Sequence, residues 1–147
     1  MASFELGTDG PSAIVVGYDA SESADHALAY ATGLARRQGS RLVIAFSAPT
    51  YVVAAVGASV DASGVGVIGA VQQDIHHQAE RHLDGTGLPW QYYSGSGDAV
   101  RLLEEIAEKT HADAIVVGRS RHREHKLVGS VAIRLVRTAR WPITVVP

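Results

Sequence analysis

The chain contains no cysteine. That excludes disulfides, thiol catalysis and cysteine-ligated zinc, and it fits a reducing compartment such as the cytosol. A strong charge imbalance is also absent: 13 Lys and Arg stand against 15 Asp and Glu, for a formal net charge of -2. Neither nucleic acid nor an anionic membrane is therefore expected as a partner. The first ten residues, MASFELGTDG, have no basic start followed by an apolar stretch, so they do not read as a signal peptide. Residues 51–71 carry a single charge, Asp61, but are interrupted by Gly57, Gly64, Gly66 and Gly69. A central aspartate costs about 3 kcal/mol on insertion scales, so no membrane span is expected there. Several motifs are missing as well. No GxGxxG follows the first apolar run, and there is no GxxxxGK[ST], GxSxG or HExxH. These absences remove the dinucleotide-dependent dehydrogenase, P-loop, serine-hydrolase and zincin readings. No nucleophile–base pair stands out, and the chain is not expected to be an enzyme.

What is present is an ordinary globular balance, with 147 residues of which 46% are hydrophobic. That length suits one domain with one buried core. AIVVGYD (13–19) and RLVIAFS (41–47) are β-branched, apolar runs that read as strands buried on both faces. Between them Ala27, Leu28, Ala31, Leu34 and Ala35 fall on one helical face, with Ser21 or Ser23 as cap and Gly39 just past the end. Residues 48–69 read as a long loop of Ala, Val, Gly and Ser, a lid or a partner surface. A second helix is expected from Ala70 to Asp84, ended by Gly85 and Gly87. WQYYS (90–94) is a more polar strand, placed towards an edge, and GSGD (95–98) turns the chain with Asp98 as cap. Val100, Leu103, Ile106 and Thr110 then form the inner face of a third helix. ADAIVVG (112–118) is a fourth strand. Ala132, Leu135, Val136 and Ala139 line one side of a last helix, which Pro142 stops before the strand ITVVP. Alternating strands and helices imply an α/β domain with a parallel sheet and helices on both faces.

Such sheets bind ligands at the carboxyl ends of their strands, where the strand order reverses. Two strand ends are distinctive. The first ends in Gly17-Tyr18-Asp19, and the fourth ends in Gly118 and enters a basic loop with Arg119, Arg121, Arg123 and Lys126. If those strands are neighbours, Asp19 and the loop share one crevice. The helix that begins near Ser130 adds free N–H groups and a positive dipole end, which together favour an anion. Each feature alone also has an ordinary role, as turn, cap or solvated surface.

VVGYDASESADHAL near the start, GDAVRLLEEIAEKTHADAIVVGRS in the second half and GSVAIRLVRTARWPITVV at the end resemble the universal stress protein family, from Ile14 to Val146. The resemblance implies one domain over 1–147, a five-stranded parallel sheet of order 3-2-1-4-5, a cytoplasmic role in stress response, and a homodimer paired through Ile143 to Val146. Many members bind ATP through G-x2-G-x9-G-[ST]. Carried over, Asp19 would hold ribose or adenine, with Gly17 and Tyr18 in the same site, and Phe46 would line the adenine pocket. Val117 and Gly118 would lie along sugar and phosphates, and Gly129, Ser130 and Val131 would donate to the phosphates. The match departs from the family in two places: Arg121 stands where the second glycine would be, and ten residues instead of twelve separate Gly118 from Gly129. Arginine could replace lost backbone contacts by a bidentate grip, or it could fill the pocket. Two readings therefore stand. One is a site for an adenine nucleotide or another phosphate ligand. The other is a non-nucleotide-binding interaction module, with a protein partner, whose pocket Arg121 and the shortened loop close. His76, His77, His82 and Glu80 on the second helix read as a solvated polar face, not a metal site. His122 and His125 are placed to act as pH-sensitive partners of an anion.

Overall fold

Ala13, Ile14, Val15 and Val16 have no exposed surface, which marks β1 (Ala13–Gly17) as a central strand. The computed structural model of the chain describes residues 13–48, 63–119 and 131–147. Along the chain follow α1 (Glu22–Gln38), β2 (Arg41–Ala48), α2 (Ser63–Leu83), β3 (Trp90–Ser96), α3 (Ala99–Thr110), β4 (Ala112–Gly118), α4 (Val131–Thr138) and β5 (Ile143–Val146). The strands form one five-stranded sheet of order β3-β2-β1-β4-β5, and every pairing is parallel. This is the expected α/β fold, with β1 and β4 adjacent and the more polar β3 at an edge.

Alternation along the strands builds two apolar layers. Ile14, Val16, Leu42 and Ile44 pack with Ala27, Leu28 and Ala31 of α1 and with Ile75, Ala79 and Leu83 of α2. Val15, Val43, Ile115 and Val117 pack with Val100, Leu103 and Ile106 of α3 and with Ala132 and Leu135 of α4. The caps are those the composition implies. Ser21 accepts from the Ala24 N–H, Asp98 accepts from the Val100 N–H, and Gly39 takes a left-handed conformation at the end of α1.

Three boundaries differ from the sequence pattern. Helix α2 starts at Ser63, not Ala70. Each glycine costs a helix about 1 kcal/mol, so Gly64, Gly66 and Gly69 make this stretch look like a loop. Ile68 nevertheless packs against the layer that Ile75 and Ala79 occupy, and this tertiary contact outweighs local propensity. Strand β3 runs to Ser96, because Gly95 and Ser96 pair with Ser47 and Ala48; the turn is confined to Gly97 and Asp98. Val136, assigned to the inner face of α4, is 56% exposed, and Ala139 lies beyond the helix with a φ of 49°. The remainder of the expected loop, 49–62, lies outside the described residues.

Of the α2 residues expected on a solvated polar face, His77 and Glu80 are exposed, and His76 is placed differently. His76 is not on a solvated face: its ring stacks on Tyr92, with centroids 4.8 Å apart, and tilts against Trp90. His82 Nε2 lies 3.1 Å from Asp25 Oδ1, which ties α2 to α1. No group of three metal-ligating side chains occurs among the described residues. Nor is any helix among them long and apolar enough to cross a membrane.

Two tyrosine hydroxyls are held neutral. Tyr18 donates to Asp25 Oδ1 at 2.7 Å, and burial followed by that bond raises its pKa well above the ordinary value. Tyr92 donates to the Gln72 carbonyl at 2.9 Å, and burial pushes its pKa up to about 12 from 10.0. A raised folded-state pKa stabilises the fold fully below the unfolded value and loses that contribution as pH climbs through the folded one. Urea midpoints are therefore expected to fall between about pH 10 and pH 12. Tyr92→Phe should flatten part of that fall.

Candidate functional site

The carboxyl ends of β1 and β4 border a cavity of about 300 Å³, at the small end of the range of about 300–1,000 Å³ usual for small-molecule sites. Gly17, Tyr18 and Asp19 enter it from β1 and its following turn, Ala45, Phe46 and Ser47 from β2, and Val117, Gly118 and Arg119 from β4. The helices bring their first turns: Ser21, Ser23 and Ala24 from the start of α1, Ala99, Leu102 and Leu103 from α3, and Val131 from α4. Seven of the expected site residues thus meet in one place: Gly17, Tyr18, Asp19, Phe46, Val117, Gly118 and Val131. Arg121, Gly129 and Ser130, with His122 and His125, lie outside the described residues.

The residues missed by sequence reasoning are mostly those with a second, obvious duty. Ser21 reads as a cap, and Leu102 and Leu103 read as core. The available signal was topological: every strand-to-helix turn of a parallel sheet ends at the same edge. Tyr18 and Phe46 also have double roles. Both are buried in the layer beneath α1 and α2, and the Tyr18 hydroxyl is committed to Asp25.

The wall between β1 and β4 is tight. A Cβ on Gly17 would come 3.2 Å from Val117 Cγ1, and one on Gly118 would overlap the Ser23 carbonyl. The first turn of α1 therefore rests directly on the end of β4, which only glycine permits. The preceding turn is strained: Ala20 has a φ of 62°, held where the Ser21 N–H donates to Asp19 Oδ1 at 2.9 Å. Asp19 itself is exposed and lines the cavity. Ser23 is nearly buried, its hydroxyl 3.3 Å from that of Ser21. Ser47 donates to the Gly97 carbonyl at 3.1 Å. Arg119 is exposed at the rim, and its N–H donates to the Val146 carbonyl at 2.7 Å.

Beside Ala99 and Val131, the guanidinium of Arg134 forks onto the Asp98 carboxylate, with Nη1–Oδ1 and Nη2–Oδ2 distances of 3.1 and 2.5 Å. Those hydrogen bonds hold Asp98 below the usual carboxylate range and raise Arg134 further. Among the described lining residues there is no histidine or lysine. An apolar cleft with a few convergent hydroxyls, one carboxylate and one rim cation is suited to binding.

These features define a doubly wound α/β domain with a ligand-sized cleft at its topological switch point. The universal stress protein family model matches residues 12–147, and the chain belongs to that family. A universal stress protein family structure from Burkholderia pseudomallei is 25% identical, with 92% of this chain and 95% of that one covered and a TM-score of 0.67. A universal stress protein from Archaeoglobus fulgidus in complex with dAMP is 21% identical, with 94% and 98% covered and a TM-score of 0.67. A universal stress protein in complex with cAMP is 22% identical, with the same coverage and TM-score. No curated protein matches the sequence.

Gly118→Ala should cost about 1–3 kcal/mol in urea unfolding, the usual cost of overpacking, because the added methyl meets backbone and not a movable side chain.

Proposed function

We propose that this chain is a non-enzymatic regulatory protein of the cytoplasmic stress response that binds an adenine nucleotide, or another small phosphate ligand, in the β1/β4 cavity. The observation that carries the reading is the cavity itself. It is open, it lies at the switch point, and it joins Asp19 to the first turns of α1, α3 and α4. Helix N-termini favour phosphate, and the Asp19 carboxylate can accept from a sugar hydroxyl. The small volume favours a compact ligand, and two structurally similar universal stress proteins are described with cAMP and dAMP. Arg119 supplies a rim cation for the same charge.

The test is a thermal melt with millimolar AMP, ATP, cyclic AMP or inorganic phosphate. A ligand at a hundred times its Kd stabilises the fold by about 2.7 kcal/mol, or several degrees for a domain this size. Adenine nucleotides should raise Tm, and Asp19→Ala should abolish the rise. A flat response together with an acid extract free of nucleotide would favour the interaction module instead, with Arg121 closing the pocket.

We further propose a homodimer through β5. Val145 on this edge strand is 44% exposed, and Ile133 and Val136 on α4 are about half exposed. A groove lined by Val136, Ala139, Arg140, Trp141, Pro142 and Ile143 borders the same edge. An unpaired apolar strand edge favours association, and a two-fold pairing would cover it. Sedimentation at micromolar concentration should give a dimer, and Val145→Lys should give a monomer; a wild-type monomer would refute this arrangement.

A further inference from the structure

Helix α4 is a short element with little holding it. It spans eight residues, and only Ala132 and Leu135 are buried. A helix of that length has no independent stability, so its direction depends on tertiary ties. Several polar ties run to α3. At the cavity end Arg134 forks onto Asp98; at the far end the Thr138 hydroxyl donates to Glu104 at 2.6 Å. Beyond the helix, Arg140 reaches Glu104 and Glu108 at 3.3 Å. The far end is thus secured twice over. At the cavity end Val131 and Ala132 pack on the core, and the Asp98–Arg134 pair adds a two-bond tie to α3 close in sequence to two residues that line the cavity, Ala99 and Val131.

We infer that Asp98 and Arg134 are a positioning pair, which fixes the first turn of α4 relative to α3 and so aims its N–H groups at the phosphate of a bound ligand. The inference rests on the nucleotide reading above. Asp98 has a double duty that makes the pair separable by experiment. It caps α3 through the Val100 N–H and also receives Arg134. Asparagine caps a helix as well as aspartate does, but presents a neutral amide to the arginine. Asp98→Asn therefore weakens the clamp and keeps the cap. Arg134→Ala removes the clamp from the other side, and Arg134→Lys keeps the charge without the fork.

The experiment is calorimetric titration of wild type, the three single variants and the Asp98→Asn/Arg134→Ala double variant with AMP and with adenosine, alongside a melt of each. The clamp predicts that Asp98→Asn and Arg134→Ala weaken AMP about fivefold, the size an exposed ion pair can carry, while adenosine stays within about twofold. The double variant should be no weaker than the worse single one, because the two groups act as a unit. Arg134→Lys should recover part of the loss, and Tm should move little throughout. Equal losses for AMP and adenosine would overturn the inference, since they signal general loosening of the cavity. A loss in Arg134→Ala with none in Asp98→Asn would also overturn it, because Arg134 would then touch the phosphate itself. If wild type binds neither ligand, the nucleotide reading fails and this inference fails with it. If wild type binds both and the ratio never changes, only the positioning role is lost.

Discussion

Burial of β1 on both faces is the constraint from which the other features follow. A strand with Ala13 through Val16 fully covered must have helices above and below it and a strand on either side. Placing β2 on one side and β4 on the other reverses the direction of winding at β1. The helix that follows β1, α1, packs on one face, and the helix that follows β4, α4, packs on the opposite face. The cavity lies between their starts, over the carboxyl ends of β1 and β4. It is therefore a by-product of core packing, before any polar residue is considered.

Most of this architecture was legible in the sequence because burial and period speak directly through residue type. The unbroken apolar runs at 13–17 and 112–118 announce two-sided strands, and Ser21, Gly39 and Asp98 announce helix ends by chemistry that works locally. The start of α2 was not legible, because Gly64, Gly66 and Gly69 argue against a helix that Ile68 secures by contacts far along the chain. Val136 fell on the expected apolar face by spacing alone. An eight-residue helix turned by its ties to α3 need not bury the whole of such a face.

The site was legible at the strand ends and illegible at the helix starts. Gly17, Asp19, Val117 and Gly118 follow apolar runs, so their position at the carboxyl edge could be read from order. Ser23, Ala24, Ala99 and Leu102 contribute only because α1 and α3 begin at that same edge. The contact between Gly118 and the Ser23 carbonyl joins both kinds of residue. It makes the end of β4 and the start of α1 a single rigid corner, and Asp19, one turn away, inherits its position from that corner. His76 shows the limit of reading polarity as exposure: an imidazole at a helical position facing Trp90 and Tyr92 is as much a ring to be stacked as a group to be hydrated.

The thin apolar anchorage of α4 has a consequence for how the domain opens. Proteins open in cooperative units whose free energies rise with buried contact, and an element with two buried side chains belongs to the lowest rung. The sheet, α1 and α3 carry most of the buried side chains, so the backbone amides of α4 should exchange with solvent before those of the central strands. Through Val131 the cavity borders that less protected element, so its lining is not equally firm all round.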